Sequence, residues 1–138
     1  MTIIDKRLEF AAPQTLTATG ALTNDIDLGS DRDIGVGKPL YFCAHVTAID
    51  AASADETYVL NLTTDDNSSF SSPTTLASIT IPRGTAMPAK FFIGMPNNNE
   101  RYLRATLTAG GTTPSITFAS VHLSLEHPGQ WAAYPAAV

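Results

Sequence analysis

The run from Arg101 to Leu125, RYLRATLTAGGTTPSITFASVHLSL, constrains this chain more than any other stretch, because two segments of apolar/polar alternation flank a Gly110-Gly111 turn. A period of two sends successive side chains to opposite faces of a strand and leaves no apolar stripe for a helix to bury. Before the turn, Leu103, Ala105 and Leu107 make one apolar face. After it, Ile116 and Phe118 point one way while Val121, Leu123 and Leu125 take the opposite parity. A β-bulge near Ala119-Ser120 restores a single face, the alternative being a strand covered on both sides. The two segments read as a closing hairpin that holds almost no reactive side chain, which suits a scaffold that holds something better than one that transforms it.

The same rhythm recurs upstream. Leu40, Phe42, Ala44, Val46 and Ala48 alternate with Tyr41, Cys43, His45 and Thr47; Tyr58, Leu60 and Leu62 follow, then Ala77, Ile79 and Ile81. Shorter candidates lie at Leu16 to Ala18, Ile26 to Leu28 and Phe91 to Ile93. Turn chemistry separates them: Asp31-Arg32-Asp33 among glycines, Asp65-Asp66-Asn67-Ser68, Pro82-Arg83-Gly84 and Pro96-Asn97-Asn98-Asn99. Only Ala48 to Glu56 has a helical look, and it lacks a sustained apolar face. About eight strands suited to antiparallel pairing predict an all-β, two-sheet sandwich of jelly-roll type. An immunoglobulin-like sandwich is the runner-up, without the cysteine pair of that fold. The 138 residues suit a single domain over 1–138, with an N-terminal arm at 1–14 and a C-terminal tail at 126–138.

Charge narrows the partners. Of the 13 acids and 8 bases, residues 1–66 hold 11 and 4, a balance of −7, and residues 67–138 hold 2 and 4, a balance of +2. No basic stripe is present, so no nucleic-acid partner is expected, and an acidic and a mildly basic side could steer the molecule onto a protein. The single Cys43 allows no internal disulfide. No segment approaches the length of a bilayer span, and MTIIDKRLEF carries charge where a signal peptide needs an apolar core, so a cytoplasmically made, soluble product without a membrane partner is expected.

Few constellations could carry chemistry. His45 and His122 lie on the polar side of their strands and meet only in a favourable register; with His127 they read as ordinary sheet-face or surface histidines, since no His-x-His spacing accompanies them. Ser68-Ser69-Phe70-Ser71-Ser72 lacks the Gly-x-Ser-x-Gly elbow, and Gly35-Val36-Gly37-Lys38 precedes a strand where a phosphate loop precedes a helix. Asp31/Asp33 and Asp65/Asp66 read as solvated turns, with calcium the alternative in either loop. No catalytic residue, cofactor or metal is expected. The large apolar side chains at the two ends, Leu8 and Phe10 in the arm and Trp131 and Tyr134 in the tail, are the candidate interface residues.

The order of blocks adds a resemblance. IDKRLEF, LTNDIDLG, IGVGKPLYF, LNLTTDDNSSFSSPTTLASI, ERYLRATLTAGGTTPSITFASVHLSL and WAAYP run through nearly the whole chain in a sequence that resembles the capsid cement, or decoration, proteins of tailed bacteriophages of the Bordetella-phage type. The apolar AAYPAAV end departs from that pattern. The resemblance implies a jelly roll on the outer capsid surface of a virion, a homodimer at twofold positions that clamps neighbouring major capsid protein subunits, with no catalytic residues. A small carbohydrate-binding sandwich, stacking sugars on Tyr41, Tyr58, Tyr102 or Trp131, is the competing expectation. A metal enzyme of cupin type ranks last, without its His/Glu motif.

Overall fold

The computed structural model describes residues 6–31, 37, 39–50, 52–98 and 100–125. After a 3-10 turn at Lys6–Leu8 come nine strands: β1 (Glu9–Ala11), β2 (Gln14–Leu16), β3 (Gly20–Asp27), β4 (Leu40–Ile49), β5 (Thr57–Asp65), β6 (Thr74–Ile81), β7 (Ala89–Met95), β8 (Tyr102–Gly110) and β9 (Ile116–Ser124). They form two antiparallel sheets. Sheet A runs β1-β9-β4-β7, with β2 also on β9, and sheet B runs β3-β8-β5-β6. The expected all-β sandwich is the fold, and with β1 and β2 taken as one edge the strand order is compatible with the two interleaved Greek keys of a jelly roll.

One expectation is corrected. The run from Arg101 to Leu125 is not a hairpin: β8 pairs with β3 and β5 in sheet B, while β9 pairs with β1, β2 and β4 in sheet A. Alternation shows that a segment is a strand but not which strand it bonds. The link from Gly111 to Ser115 arches across the roughly 10 Å between stacked sheets. Gly111 needs its glycine there: its φ is +107°, and a Cβ would stand 2.7 Å from the Glu56 backbone. Among the described strands only β5 and β6 pair with their neighbour in sequence.

The bulge expected in β9 is present. His45 lies opposite Ser120 and Val46 opposite Phe118, so Ala119 is the extra residue. It lets Ile116 and Phe118 face inward together with Val121 and Leu123, all at most 2% exposed. A second slip skips Thr47 on β4 and leaves Ala48, expected on the apolar face, exposed.

The core lies between the sheets. Phe42, Ala44, Val46, Ile116, Phe118, Val121 and Leu123 from sheet A meet Leu22, Ile26, Leu60, Leu62, Ile79, Ile81, Leu103, Ala105 and Leu107 from sheet B. Phe10 joins them, its ring 5.8 Å from that of Phe42 in an edge-to-face contact. Tyr58 is buried too, and its hydroxyl donates to the Asp50 carbonyl at 2.7 Å and accepts from the Ser115 N–H at 3.0 Å, tying two loops to one end of the sandwich. One edge of the sandwich brings β1 against β3 and the other brings β6 against β7.

Candidate interaction surface

The outward face of sheet B is polar and internally bonded. Asn61 donates to Thr108 at 3.1 Å and accepts from Ser78 at 2.7 Å, linking three neighbouring strands. Arg104 forks onto Asp25 at 2.9 and 2.7 Å, and Arg101 onto Asp27 at 2.7 and 3.0 Å. The Arg101 bond and the Gly29 N–H hold the Asp27 carboxyl down at about 2. The Arg104 guanidinium also lies 4.0 Å over the Phe70 ring.

The loop after β5 puts Phe70 in that place. The Asp65 carboxylate accepts the N–H groups of Asn67 at 2.9 Å and Ser72 at 2.8 Å, which draws the loop closed and keeps its pKa below the usual carboxylate range. Phe70 itself sits in the left-handed region at φ 51°. Beside it is an open groove of about 290 Å³ lined by Asn61, Thr63, Phe70, Pro73, Thr75, Arg104 and Thr106. A second, of about 460 Å³, lies by the β1/β3 edge among Lys6, Glu9 and Asn24 to Asp27. Both of its β3 carboxylates already accept from arginines.

Sheet A presents a different surface. The pairing of β4 with β9 sets Cys43 opposite His122, with Glu9 opposite His122 on the other side. Cys43 and His122 are 2% and 1% exposed although they point away from the core. Burial pushes the Cys43 thiol up to about 12 and holds the His122 imidazole below its usual value, with His45 adding to the lowering and Glu9 opposing it. So His45 and His122 do share one sheet face, as a sheet-face reading expects, and His122 is buried there.

At the rim of this sheet, β7 pairs with β4 alone among the described strands, and it carries Phe92 and Ile93, 45% and 36% exposed. Leu125, 50% exposed, is the other large apolar side chain on the described surface. Sequence reasoning overlooked Phe92 and Ile93, because an apolar run reads as a buried strand. The signal that was present is the unbroken FFIG, with no polar residue in the alternate places.

The expected interface residues divide. Phe10 is a correction: it is 0% exposed and belongs to the chain's own core, because β1 is woven into sheet A where a free arm was expected. Leu8 is partly buried against that core. Trp131 and Tyr134 lie outside the described residues, as does Asp33 of the first acidic loop. Of the tyrosines considered as sugar platforms, Tyr58 is buried in the core, Tyr102 lies under Arg101 at 4.9 Å, and Tyr41 is partly buried on sheet A. Among the described residues no group of three or more histidine, cysteine or acidic side chains could hold a metal ion, and no helix is long and apolar enough to cross a membrane.

The family model described as Bbp16 matches residues 10–122, from the start of the β1 core contact to the buried His122. No curated protein matches.

Proposed function

Because this chain belongs to the Bbp16 family, a phage-related family whose name points to a Bordetella phage protein, we propose that it is a non-enzymatic capsid cement protein. It binds the outer surface of an assembled phage shell as a homodimer and clamps neighbouring major capsid protein subunits. The observation that carries this reading is the contrast on its surface. The arginines and aspartates of sheet B are engaged with one another, while the rim of sheet A leaves Phe92 and Ile93 45% and 36% exposed. Exposed apolar groups clustered at a rim serve association and not turnover. A bivalent clip gains from its second contact, which is effectively intramolecular once the first has formed, so it grips an assembled shell more strongly than a free subunit.

The sugar-binding alternative is less well supported, since Tyr58 is buried in the core and Arg101 lies over a face of the Tyr102 ring. The test is co-sedimentation of the purified protein with expanded shells and, separately, with unassembled capsid subunits of the cognate phage. Saturable binding to shells at a fixed ratio, with weak binding to free subunits, is expected. Equal affinity for both, or none for shells, would sink the clamp.

A further inference from the structure

We propose that β7 is the seam of a twofold pair, in which sheet A of one copy continues into sheet A of a second through antiparallel β7–β7 pairing centred on Phe92. The inference rests on the homodimer of the proposed function and names the edge and register that make it.

Four sheet edges are open to comparison. The β1/β2 edge is broken into two three-residue pieces and carries Glu9. On β3, self-pairing would gather Asp25 and Asp27 of both copies. The β6 edge exposes Thr74, Thr75, Ser78 and Thr80, whose hydroxyls gain little by leaving water. The β7 edge is seven residues long, holds no acid, and exposes two of the three large apolar side chains on the described surface. A strand of that kind is a template for another strand. It also lies at the rim opposite the β1/β3 contact, so a pair joined there keeps the Asp25 and Asp27 sides of a −5 chain apart.

The sequence of β7 is complementary to itself in this register. Phe92 faces its own copy, Phe91 faces Ile93, Ala89 faces Met95, and Lys90 faces Gly94. Lys90, Phe92 and Gly94 share the outward face, by the two-residue period. Nothing lies within 4 Å of where a Gly94 Cβ would stand, which leaves a lane for the aliphatic stem of the facing lysine. The two lysines end up four residues apart, roughly 13 Å along the strands, beyond a Debye length of about 8 Å at physiological salt. A seam this short falls below the ~1,200–2,000 Å² of standard interfaces, so the free pair dissociates in the micromolar range and tightens on a shell.

Sedimentation velocity of the full chain across a concentration series tests this, with thermal unfolding as the control for folding. Wild type should dimerise. Phe92→Lys and Phe92→Glu should each weaken the pair by about a hundredfold or more, since each removes two facing rings and sets like charges opposite. Mixing the two variants should restore dimers, which a merely structural loss would not do. Phe92→Cys should form a disulfide-linked dimer under mild oxidation, free of competition from the buried Cys43; it decides the case if the charged variants do not fold. A wild-type dimer that both charged variants and the cysteine variant leave unchanged or uncrosslinked would overturn the seam and leave the clamp standing. A wild-type monomer at all concentrations would overturn the seam and the dimer together, and shell co-sedimentation of the same sample would then say whether the clamp survives. A monomeric protein whose shell binding falls with Phe92→Lys would give the edge to a capsid strand in place of a second copy.

Discussion

The outward faces of the two sheets differ in what they leave to the solvent. Sheet B carries serine, threonine and asparagine hydrogen-bonded across strands, and its arginines are forked onto aspartates of the neighbouring strand. Sheet A buries a thiol and an imidazole on its outward side, yet ends in an edge with a half-exposed phenylalanine and isoleucine. A polar face satisfied within the chain gains nothing by meeting a partner. An apolar edge gains both ladder hydrogen bonds and burial. On the function proposed above, sheet B finishes the monomer and the edge of sheet A is the part left for assembly.

The comparison holds only outside, because the two sheets share one core. Phe42→Ala in sheet A should cost about 3–5 kcal/mol and Leu62→Ala in sheet B about 2–5 kcal/mol, by lost burial plus the cavity left behind. Both side chains are 0% exposed. Urea unfolding of the two variants at one protein concentration measures this. A Phe42→Ala loss well under 1 kcal/mol would mean that sheet A is not packed against sheet B as described, and the contrast between finished and unfinished sheets would have to be redrawn.

How far these features can be read from sequence differs in the same way. Alternation alone picked out β5, β6, β8 and the parity change of β9, since each has one face on the core and the core positions are Leu, Ile, Val, Phe, Tyr and Ala. It missed most of β3, where only Leu22 and Ile26 turn inward and Asp25 and Asp27 are held by Arg104 of β8 and by Arg101 just before it, 79 and 74 residues away. It also mistook an arch for a hairpin, because strand partners are long-range facts. The expected contact residues fared worst. Phe10 looks free in a charged arm, but β9 recruits β1 as an edge strand, whereas Phe92 looks buried and is at an edge. Exposure at a sheet rim depends on strand order, which periodicity does not encode.

Acid should sharpen the contrast next. Burial holds the His122 imidazole below 6.5, so the unfolded chain takes up its proton first. Stability from this group is complete above about pH 6.5 and declines as pH falls toward the lower folded value. The carboxylates act further down: Asp27, held at about 2, and Asp65, also lowered, contribute stability above about pH 4 that is lost as pH falls toward 2. Chemical unfolding between pH 7.5 and 5 should show a decline in wild type that flattens in His122→Gln. An unchanged slope in the variant would mean that the surroundings of His122 are wetter than its own 1% exposure implies. Cys43 gives a check without mutation: its thiol should resist a disulfide reagent in native protein and react at once in urea.

The smallest effect belongs to the ion pairs of sheet B. Asp25→Asn removes the charge opposite Arg104 but leaves the guanidinium over Phe70, so it separates the pair from the stacking contact. The two side chains are 35% and 26% exposed, and pairs in that setting are worth less than about 1 kcal/mol. The loss should shrink further in 0.5 M salt, where the Debye length falls to about 4 Å, and shell binding should be untouched. A loss as large as that of a core truncation would show that the polar face carries the fold. A fall in shell binding with unchanged stability would show that sheet B also meets a partner. If neither occurs, stability and association separate onto different sheets. Asp25→Asn and Phe92→Lys then become a matched pair, the first altering a surface that is complete in the monomer and the second an edge that is not.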